Sequence, residues 1–474
     1  MSPDTIFALS TPPGRSAIAV IRISGPDAAA ALLALTSSLP EPRSASLRRL
    51  RDPVSGDILD EALVIRFAAP RTETGEDIVE LQVHGGRAVI QSVLTALARM
   101  PSLRPAEPGE FARRALINGK LDLAEVEGLA DLIDAETEAQ RQQAIRAAAG
   151  LSSAVYDDWR SDTLAAMALV GSAIDFSDES DVSADAVRRA EVVAERLAGR
   201  LAAALGDGHR GEILRNGFRV VLAGPPNAGK SSLLNALSRR QAAIVSDEAG
   251  TTRDVIEVRL NLGGWPVIVC DTAGLREAES KVEQEGIRRT LDEARRADLI
   301  LWLVAPDTER DPGSVGGPAS GQSGGPPAEL LLDGTPVITV ETKSDLLTID
   351  EKNSSDLIHV KHFPETPPET PPDLTLRIST LTGEGLATLT ADLAERAKKA
   401  TGNPGDAVIT RLRHRREVEI AHLHVRAFLD SPHQQVELRA ESLRLAASAI
   451  GRLTGHIGAE EVLGEIFGRF CIGK

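Results

Sequence analysis

The sequence is poor in cysteine and in aromatic residues, and its 53 Lys and Arg residues are outnumbered by 69 Asp and Glu residues. Its two cysteines, Cys270 and Cys471, cannot build a disulfide framework or a structural zinc cluster. Aromatic residues make up 3% of the chain, which disfavours a surface that binds single strands by base stacking. A formal net charge of −16 argues against a protein that coats nucleic acid, because non-specific affinity for phosphate depends on Lys and Arg. Any RNA contact is therefore expected to be local, or shared with a partner.

Long apolar runs are also lacking. No stretch of about 18 apolar residues occurs and no signal peptide opens the chain, which predicts a soluble, cytoplasmic protein. At 474 residues the chain is too long for one ordinary core, so we expect roughly two to four domains.

Apolar spacing divides the chain into regions of different secondary structure. Residues 1–120 mix strands with short helices, the clearest being strands over 17–23, 61–67 and 77–83 and a helix over 86–100. Residues 121–215 and 389–474 are typical of helices, with a break at Asn403-Pro404-Gly405. We expect these two helical segments to pack together, with residues 216–388 inserted between them. Within the insertion, residues 306–327 and 366–372 are rich in Gly, Pro, Ser or Thr and predict poorly ordered surface loops without a catalytic role.

A glycine-rich loop in the inserted region carries the clearest motif. Residues 224–231 read G-x-x-x-x-G-K-[ST], between an apolar run over 218–223 and a helical stretch. Glycines let the backbone wrap phosphates, so that amides and the helix N-terminus point at negative charge. Lys230 is expected to reach the β- and γ-phosphates, and Ser231 to bind Mg²⁺.

Three later motifs follow in the order of a GTP site. Thr252, in Gly250-Thr251-Thr252-Arg253-Asp254, is the expected second Mg²⁺ ligand. Asp271, at the end of a buried strand, would hold the metal through water, and the Gly274 amide would meet the γ-phosphate. Asp345, two residues after Lys343, would accept hydrogen bonds from N1 and the exocyclic amine of guanine. Together the motifs predict a guanine nucleotide.

Two positions depart from the usual pattern. Thr342 stands before Lys343 where Asn is usual, and its hydroxyl can make one of the two hydrogen bonds of an Asn amide. We expect guanine specificity to be kept and affinity to fall. The last loop, with Ser379 and with Thr380 where Ala is commoner, resembles the loop that closes over the base in GTPases.

The residue that follows the D-x-x-G motif is Leu275, where many GTPases place a Gln that orients the attacking water. Either hydrolysis is slow or another residue does this work. The nearby glutamates, Glu277, Glu279 and Glu283, read on residues alone as solvated charges at a helix start.

The two ends of the chain resemble the MnmE (TrmE) family of tRNA-modification GTPases. The matching motifs are Asp4-Thr5-Ile6, Thr11-Pro12-Pro13-Gly14-Arg15, Ile21-Arg22-Ile23-Ser24-Gly25, Thr74-Gly75-Glu76-Asp77 with Glu80, Pro108-Gly109-Glu110-Phe111, Lys120-Leu121-Asp122-Leu123 and Cys471-Ile472-Gly473-Lys474. The resemblance spans nearly the whole chain. It implies a multidomain fold: an α+β folate-binding and dimerisation domain over 1–120, a discontinuous α-helical bundle over 121–215 and 389–474, and an inserted α/β P-loop GTPase domain over 216–388.

The resemblance also implies the site residues. A tetrahydrofolate derivative, 5-formyl or methylene, would bind at Arg22, Glu80, Lys120 and Lys474; without the family, Glu80 reads as a strand-edge charge and Lys120 as a helix-flanking lysine. K⁺ would replace an arginine finger when two GTPase domains meet, held by Asn227, Ser246, Glu248 and Thr251, with Mg²⁺ on Ser231, Thr252 and Asp271. Glu283 would orient the water, and Lys230 would assist catalysis. The nucleotide site would comprise Asn227, Ala228, Gly229, Lys230, Ser231, Ser232, Ser246, Asp247, Glu248, Ala249, Gly250, Thr251, Thr252, Asp271, Thr272, Ala273, Gly274, Thr342, Lys343, Asp345 and Ser379.

The activity implied is GTP hydrolysis by a homodimer that pairs with a flavoprotein, MnmG, which alone carries FAD. The resulting heterotetramer would install an aminomethyl or carboxymethylaminomethyl group at C5 of the wobble uridine of certain tRNAs. Two alternatives stay open: a ribosome-assembly GTPase without modification chemistry, and a folate-dependent aminomethyltransferase with a regulatory GTPase domain.

Two features near the C-terminus also stay open. Cys471 is either a catalytic thiol or a packing residue, and the last four residues fit a prenylation signal poorly. The basic run of Arg411, Arg413, Arg415 and Arg416 is either a solvated helix face or a contact for RNA or a partner.

Overall fold

The computed structural model describes residues 4–175, 180–207, 209–240, 256–271, 293–306, 334–346, 360–361, 376–432, 435–456 and 473. The chain forms two compact units, one of residues 1–133, 145–199 and 417–474, the other of residues 134–144 and 200–416. Among the described helices, none is both long and apolar enough to cross a membrane.

A six-stranded sheet organises the N-terminal region. Its strands are β1 (Thr5–Leu9), β2 (Ile18–Ser24), β3 (Ser46–Arg51), β4 (Ile58–Phe67), β5 (Ile78–His84) and β6 (Leu103–Pro105), in the order β3-β4-β5-β2-β1-β6. The helices of this region are α1 (Ala28–Thr36), α2 (Arg87–Ala98) and α3 (Glu110–Ile117). Alternate residues of β2, such as Ile21 and Ile23, are buried against Leu32 of α1 and Val93 of α2. The strands and helix predicted here are confirmed, with bounds shifted by a few residues.

The region that follows is helical, as the sequence predicts, and its described helices are α4 (Leu123–Asp134), α5 (Glu138–Ala148), α6 (Leu151–Asp175), α7 (Ser180–Leu205) and α8 (Arg210–Asn216). The start of α5 belongs to the second compact unit. There the Ala139 amide donates to the Gly264 carbonyl (3.1 Å), and the Gln140 side chain donates to the Arg215 carbonyl (3.0 Å). The domain boundaries given by the sequence therefore stay predictions.

The second unit is built on a mixed sheet whose central strands are parallel. Its elements are β7 (Phe218–Ala223), α9 (Lys230–Arg240), β8 (Ile256–Leu262), β9 (Trp265–Asp271), β10 (Leu299–Val304), β11 (Val337–Glu341), β12 (Val360–Lys361), β13 (Leu376–Arg377) and α10 (Leu386–Thr401). The strand order is β12-β11-β10-β7-β9-β8, with β13 also paired to β11. Because β7, β9, β10 and β11 are parallel, their carboxyl ends meet at one edge, where the motif loops begin.

Among the described residues after α10, two further helices occur, α11 (Leu412–Asp430) and α12 (Val436–Thr454). Arg439 on α12 is 1% exposed, donates to the Phe428 carbonyl (2.9 Å) and pairs with Glu191 of α7 (2.6 Å). Helices from before and after the inserted α/β region therefore pack together, as expected. The predicted loops at 306–327, apart from Pro306, and at 366–372 lie outside the described residues.

Candidate nucleotide site

The glycine-rich loop of residues 224–231, the P-loop, joins β7 to α9 at the carboxyl edge of the sheet. Gly224 has a φ of 147°, and a Cβ at this position would clash with the Leu303 carbonyl of β10, so only glycine fits. Lys230 donates from Nζ to the carbonyls of Gly224 (2.8 Å) and Pro225 (2.9 Å). Burial lowers the pKa of Lys230, and the Asp271 carboxylate opposes that shift. The loop thus holds an ammonium group where phosphate oxygens would bind.

The two described Mg²⁺ ligand candidates lie side by side. The Ser231 hydroxyl at the start of α9 donates to Oδ2 of Asp271 at the end of β9, at 2.8 Å. Asp271 is 1% exposed, so its carboxylate is fixed in place by the sheet. A hydroxyl and a carboxylate are the hard oxygen ligands that Mg²⁺ prefers, and this pair fits the ion.

The predicted base-recognition loops lie next to the P-loop. Thr342, which is 1% exposed, follows β11 and donates from Oγ1 to the Ala228 carbonyl at 2.7 Å. Asp345 accepts a hydrogen bond from the Ser379 hydroxyl at 2.6 Å, and Ser379 Oγ in turn accepts from the Thr382 amide at 3.1 Å. The Asp345 carboxylate is therefore positioned by the loop that follows β13.

The structure thus brings together one part of the predicted nucleotide site. The P-loop residues, Asp271 and the residues of both base loops converge on the same sheet edge, because their strands are parallel neighbours. Other predicted site residues lie outside the described residues: Ser246, Asp247, Glu248, Ala249, Gly250, Thr251, Thr252, Thr272, Ala273, Gly274, Glu283, Cys471 and Lys474. Leu275, Glu277 and Glu279 also lie outside them.

Two of the folate candidates, both in the first compact unit, lie next to each other. Arg22 on β2 lies opposite Glu80 on β5, and their side chains pair at 3.0 Å. Glu73, which the sequence did not single out, pairs with Arg22 at 2.8 Å. Within the described residues, Nε of Arg22 is buried without a hydrogen-bond partner. Because β5 lies between β4 and β2, the reading of Glu80 as a strand-edge charge is wrong.

The remaining folate candidates lie near the surface or the chain end. Lys120 is exposed, and its stem lies against Gly75, where an added Cβ would stand 3.1 Å from Lys120 Cε. The Gly473 carbonyl, next to Lys474 in sequence, accepts a hydrogen bond from the Ser10 hydroxyl at 2.9 Å. The described end of the chain therefore lies against the residue that follows β1.

The basic run on α11 is not uniform, and both readings of it are wrong for Arg415. This side chain is 7% exposed and donates to Glu212 (3.1 Å), Asp207 (3.1 Å) and the Leu205 carbonyl (3.1 Å). It is a buried ion-pair residue, neither solvated nor accessible to RNA. Its neighbour Arg416 is exposed, whereas Arg411 and Arg413 are partly buried.

Comparisons with known proteins cover both halves of the chain. Residues 5–120 match the family model for the N-terminus of the GTP-binding protein TrmE, and residues 123–471 match the model for the MnmE helical domain. A relative from Methylobacterium sp. (strain 4-46), named tRNA modification GTPase MnmE, is 49% identical over 99% of this chain and 100% of its own. One of the same name from Parvibaculum lavamentivorans is also 49% identical, with 99% of this chain and 100% of its own covered.

Solved structures resemble the chain more weakly. The G domain of the T. maritima FeoB iron transporter is 23% identical and covers 38% of this chain and 98% of its own, with a TM-score of 0.23. A similarity of this size adds nothing about function.

Proposed function

The chain belongs to the MnmE family of tRNA modification GTPases and is a GTP hydrolase that acts in tRNA modification, and we propose that K⁺ stimulates its hydrolysis and that it works with the flavoprotein MnmG. The joint product is an aminomethyl or carboxymethylaminomethyl group at C5 of the wobble uridine of certain tRNAs. FAD is carried by MnmG, and the chain itself forms the homodimer at the centre of a heterotetramer.

The observation that carries the proposal is that the residues expected to contact phosphate, Mg²⁺ and base converge at one sheet edge. Lys230 binds the β- and γ-phosphates, and Ser231 and Asp271 hold Mg²⁺. Asp345, positioned by Ser379, accepts from N1 and the exocyclic amine of guanine. GTP hydrolysis on this site drives a conformational cycle and not the alkylation itself.

The K⁺ assignment rests on the resemblance to the MnmE family, in which Asn227 matches the residue that holds the cation. Leu275 has no polar group that could orient water, so another residue must do that work. Asn227 has a φ of 63° and is exposed on the P-loop, which leaves its amide oxygen open to a cation beside the phosphates. A bound K⁺ supplies the positive charge that an arginine finger supplies elsewhere, and Ser246, Glu248 and Thr251 complete its ligands. Glu283 orients the attacking water.

GTP turnover in K⁺ and in Na⁺ tests this assignment. We expect much faster turnover in K⁺, and the difference should disappear in Asn227→Ala. Asn235→Ala is the matched control, because Asn235 is an exposed asparagine farther along α9. Equal rates in the two salts would overturn the K⁺ assignment and leave the GTPase activity standing.

Folate binding by the first compact unit is tested separately from GTP hydrolysis. The guanidinium of Arg22, on a side chain that is 18% exposed, can bind a folate carboxylate, while Glu80 can accept from the pterin ring. Arg22→Met should weaken the binding of 5-formyl-tetrahydrofolate in calorimetry. Arg49→Met, which removes an arginine that is 63% exposed on β3, should leave it unchanged. Equal affinities of both variants would remove Arg22 from the site.

Reconstitution with tRNA tests the partnership. Modified wobble uridine should form only when the chain, MnmG, GTP and the folate are all present. Product without MnmG would favour a folate-dependent aminomethyltransferase with a regulatory GTPase domain.

A further inference from the structure

We propose that Thr342 is a positioning residue that joins the base loop to the P-loop and gives N7 of the bound guanine no hydrogen bond. The inference rests on the guanine site proposed above and concerns how that site divides its contacts. Asp345 then carries base recognition, whereas Thr342 fixes the distance between the base loop and the phosphate loop.

The position of Thr342 supports its role in joining the base loop to the P-loop. Its Oγ1 lies 2.7 Å from the Ala228 carbonyl of the P-loop and 3.2 Å from the Val304 carbonyl at the end of β10. Its backbone amide also donates to Val304, at 2.8 Å. A Cβ added at Gly229 would stand 3.5 Å from Oγ1, so the P-loop backbone lies directly against this side chain. The threonine is therefore held between two segments of the phosphate site.

The chemistry of the Thr342 hydroxyl supports the absence of a hydrogen bond to N7 of guanine. A threonine hydroxyl has one hydrogen, and both described oxygens within its reach are carbonyl acceptors. That hydrogen is committed to the protein, so Oγ1 has only lone pairs to offer elsewhere. N7 and O6 of guanine are also acceptors, and an acceptor cannot bond to another acceptor. Thr342 therefore has no donor for N7.

An asparagine at this position would behave differently. Its amide carries two hydrogens, so one could bond to the Ala228 carbonyl while the other reached the base. Thr342→Asn is thus expected to gain a contact that the natural residue cannot make. Thr342→Val has nearly the same shape but lacks the hydroxyl, so it tests the tie to the P-loop alone.

Calorimetric titration with GDP and with 7-deaza-GDP, in which carbon replaces N7, separates these roles. The natural chain should bind both nucleotides within about twofold. Thr342→Asn should prefer GDP by about threefold to tenfold, the effect of one neutral hydrogen bond. Thr342→Val should weaken both nucleotides by a similar factor without creating a preference, and Thr342→Ser should restore both affinities.

Three results would overturn the inference. A natural chain that strongly prefers GDP over 7-deaza-GDP, with the preference lost in Thr342→Val, would place Thr342 on the base. If a folded Thr342→Val variant bound GDP as tightly as the natural chain, Thr342 would have no positioning role. If Thr342→Asn bound GDP and 7-deaza-GDP equally well, the explanation for the missing hydrogen bond to N7 would be wrong. Binding of ADP in place of GDP by the natural chain would instead overturn the guanine site itself, and this inference with it.

Discussion

Replacing Arg415 by methionine should strongly destabilise the unit that contains the nucleotide site. The guanidinium is 7% exposed, and its partner Glu212 is 5% exposed. Arg415→Met removes the arginine partner of the buried Glu212 carboxylate, which keeps only its contact with the His209 ring among the described residues, and removes a donor from the Leu205 carbonyl. Breaking a buried pair from one side costs about 3–5 kcal/mol. For a unit of this size, about 2–4 °C of midpoint is lost per kcal/mol, so we expect a shift on the order of 10 °C.

Scanning calorimetry of the full chain measures this shift. The transition to follow is the one that GDP moves to higher temperature, because a ligand stabilises the unit that binds it. Arg416→Met is the matched control: it removes the same charge one residue away on α11, from an exposed position, and should cost less than about 0.5 kcal/mol. The double variant Arg415→Met/Glu212→Leu should lose less than the sum of its single variants. Equal midpoints for Arg415→Met and Arg416→Met would refute the buried ion pair.

Three further predictions concern single side chains. Arg439→Met should lower a calorimetric midpoint by several degrees, because Glu191 loses its cationic partner and the Phe428 carbonyl loses its donor, whereas Arg444→Met on the exposed side of α12 should change little. Burial raises the pKa of the Cys270 thiol to about 12, so iodoacetamide at pH 8 should label Cys270 only in unfolded protein, as read by peptide mass spectrometry; labelling of the native chain would contradict this. Burial raises the pKa of Glu110, but hydrogen bonds from neighbouring arginines outweigh burial and hold the pKa below 4.5. The stability that Glu110 contributes is therefore present above that pH and is lost as the pH falls below it. Glu110→Gln should flatten the pH dependence of unfolding in acid, and an unchanged dependence would contradict this.

Local patterns predicted the elements that position the nucleotide site. An apolar run before a glycine loop predicted β7, and the structure has the strand over Phe218–Ala223. The adjacency of Ser231 and Asp271 followed from the order of motifs on parallel strands. These features depend on residues that are neighbours in sequence or that lie on adjacent strands of one sheet, so apolar periodicity and motif order predict them.

Features that depend on partners far away in the chain could not be predicted from the sequence. Arg415 sits in a basic run that is typical of an exposed helix face, and its burial depends on carboxylates about two hundred residues earlier. Glu80 could be read as an edge charge because strand order is not visible in a single strand. Gln140 lies in a helical run yet packs with the α/β unit, a contact that helix periodicity does not encode.

We propose that GTP hydrolysis at the P-loop site serves the modification of wobble uridine. Nucleoside analysis by mass spectrometry of tRNA from cells that lack the protein tests it most directly, with the natural chain or Lys230→Ala returned to those cells. The C5 substituent should be absent without the protein, restored by the natural chain and not restored by Lys230→Ala. An unchanged nucleoside profile in cells without the protein, or full restoration by Lys230→Ala, would contradict the claim.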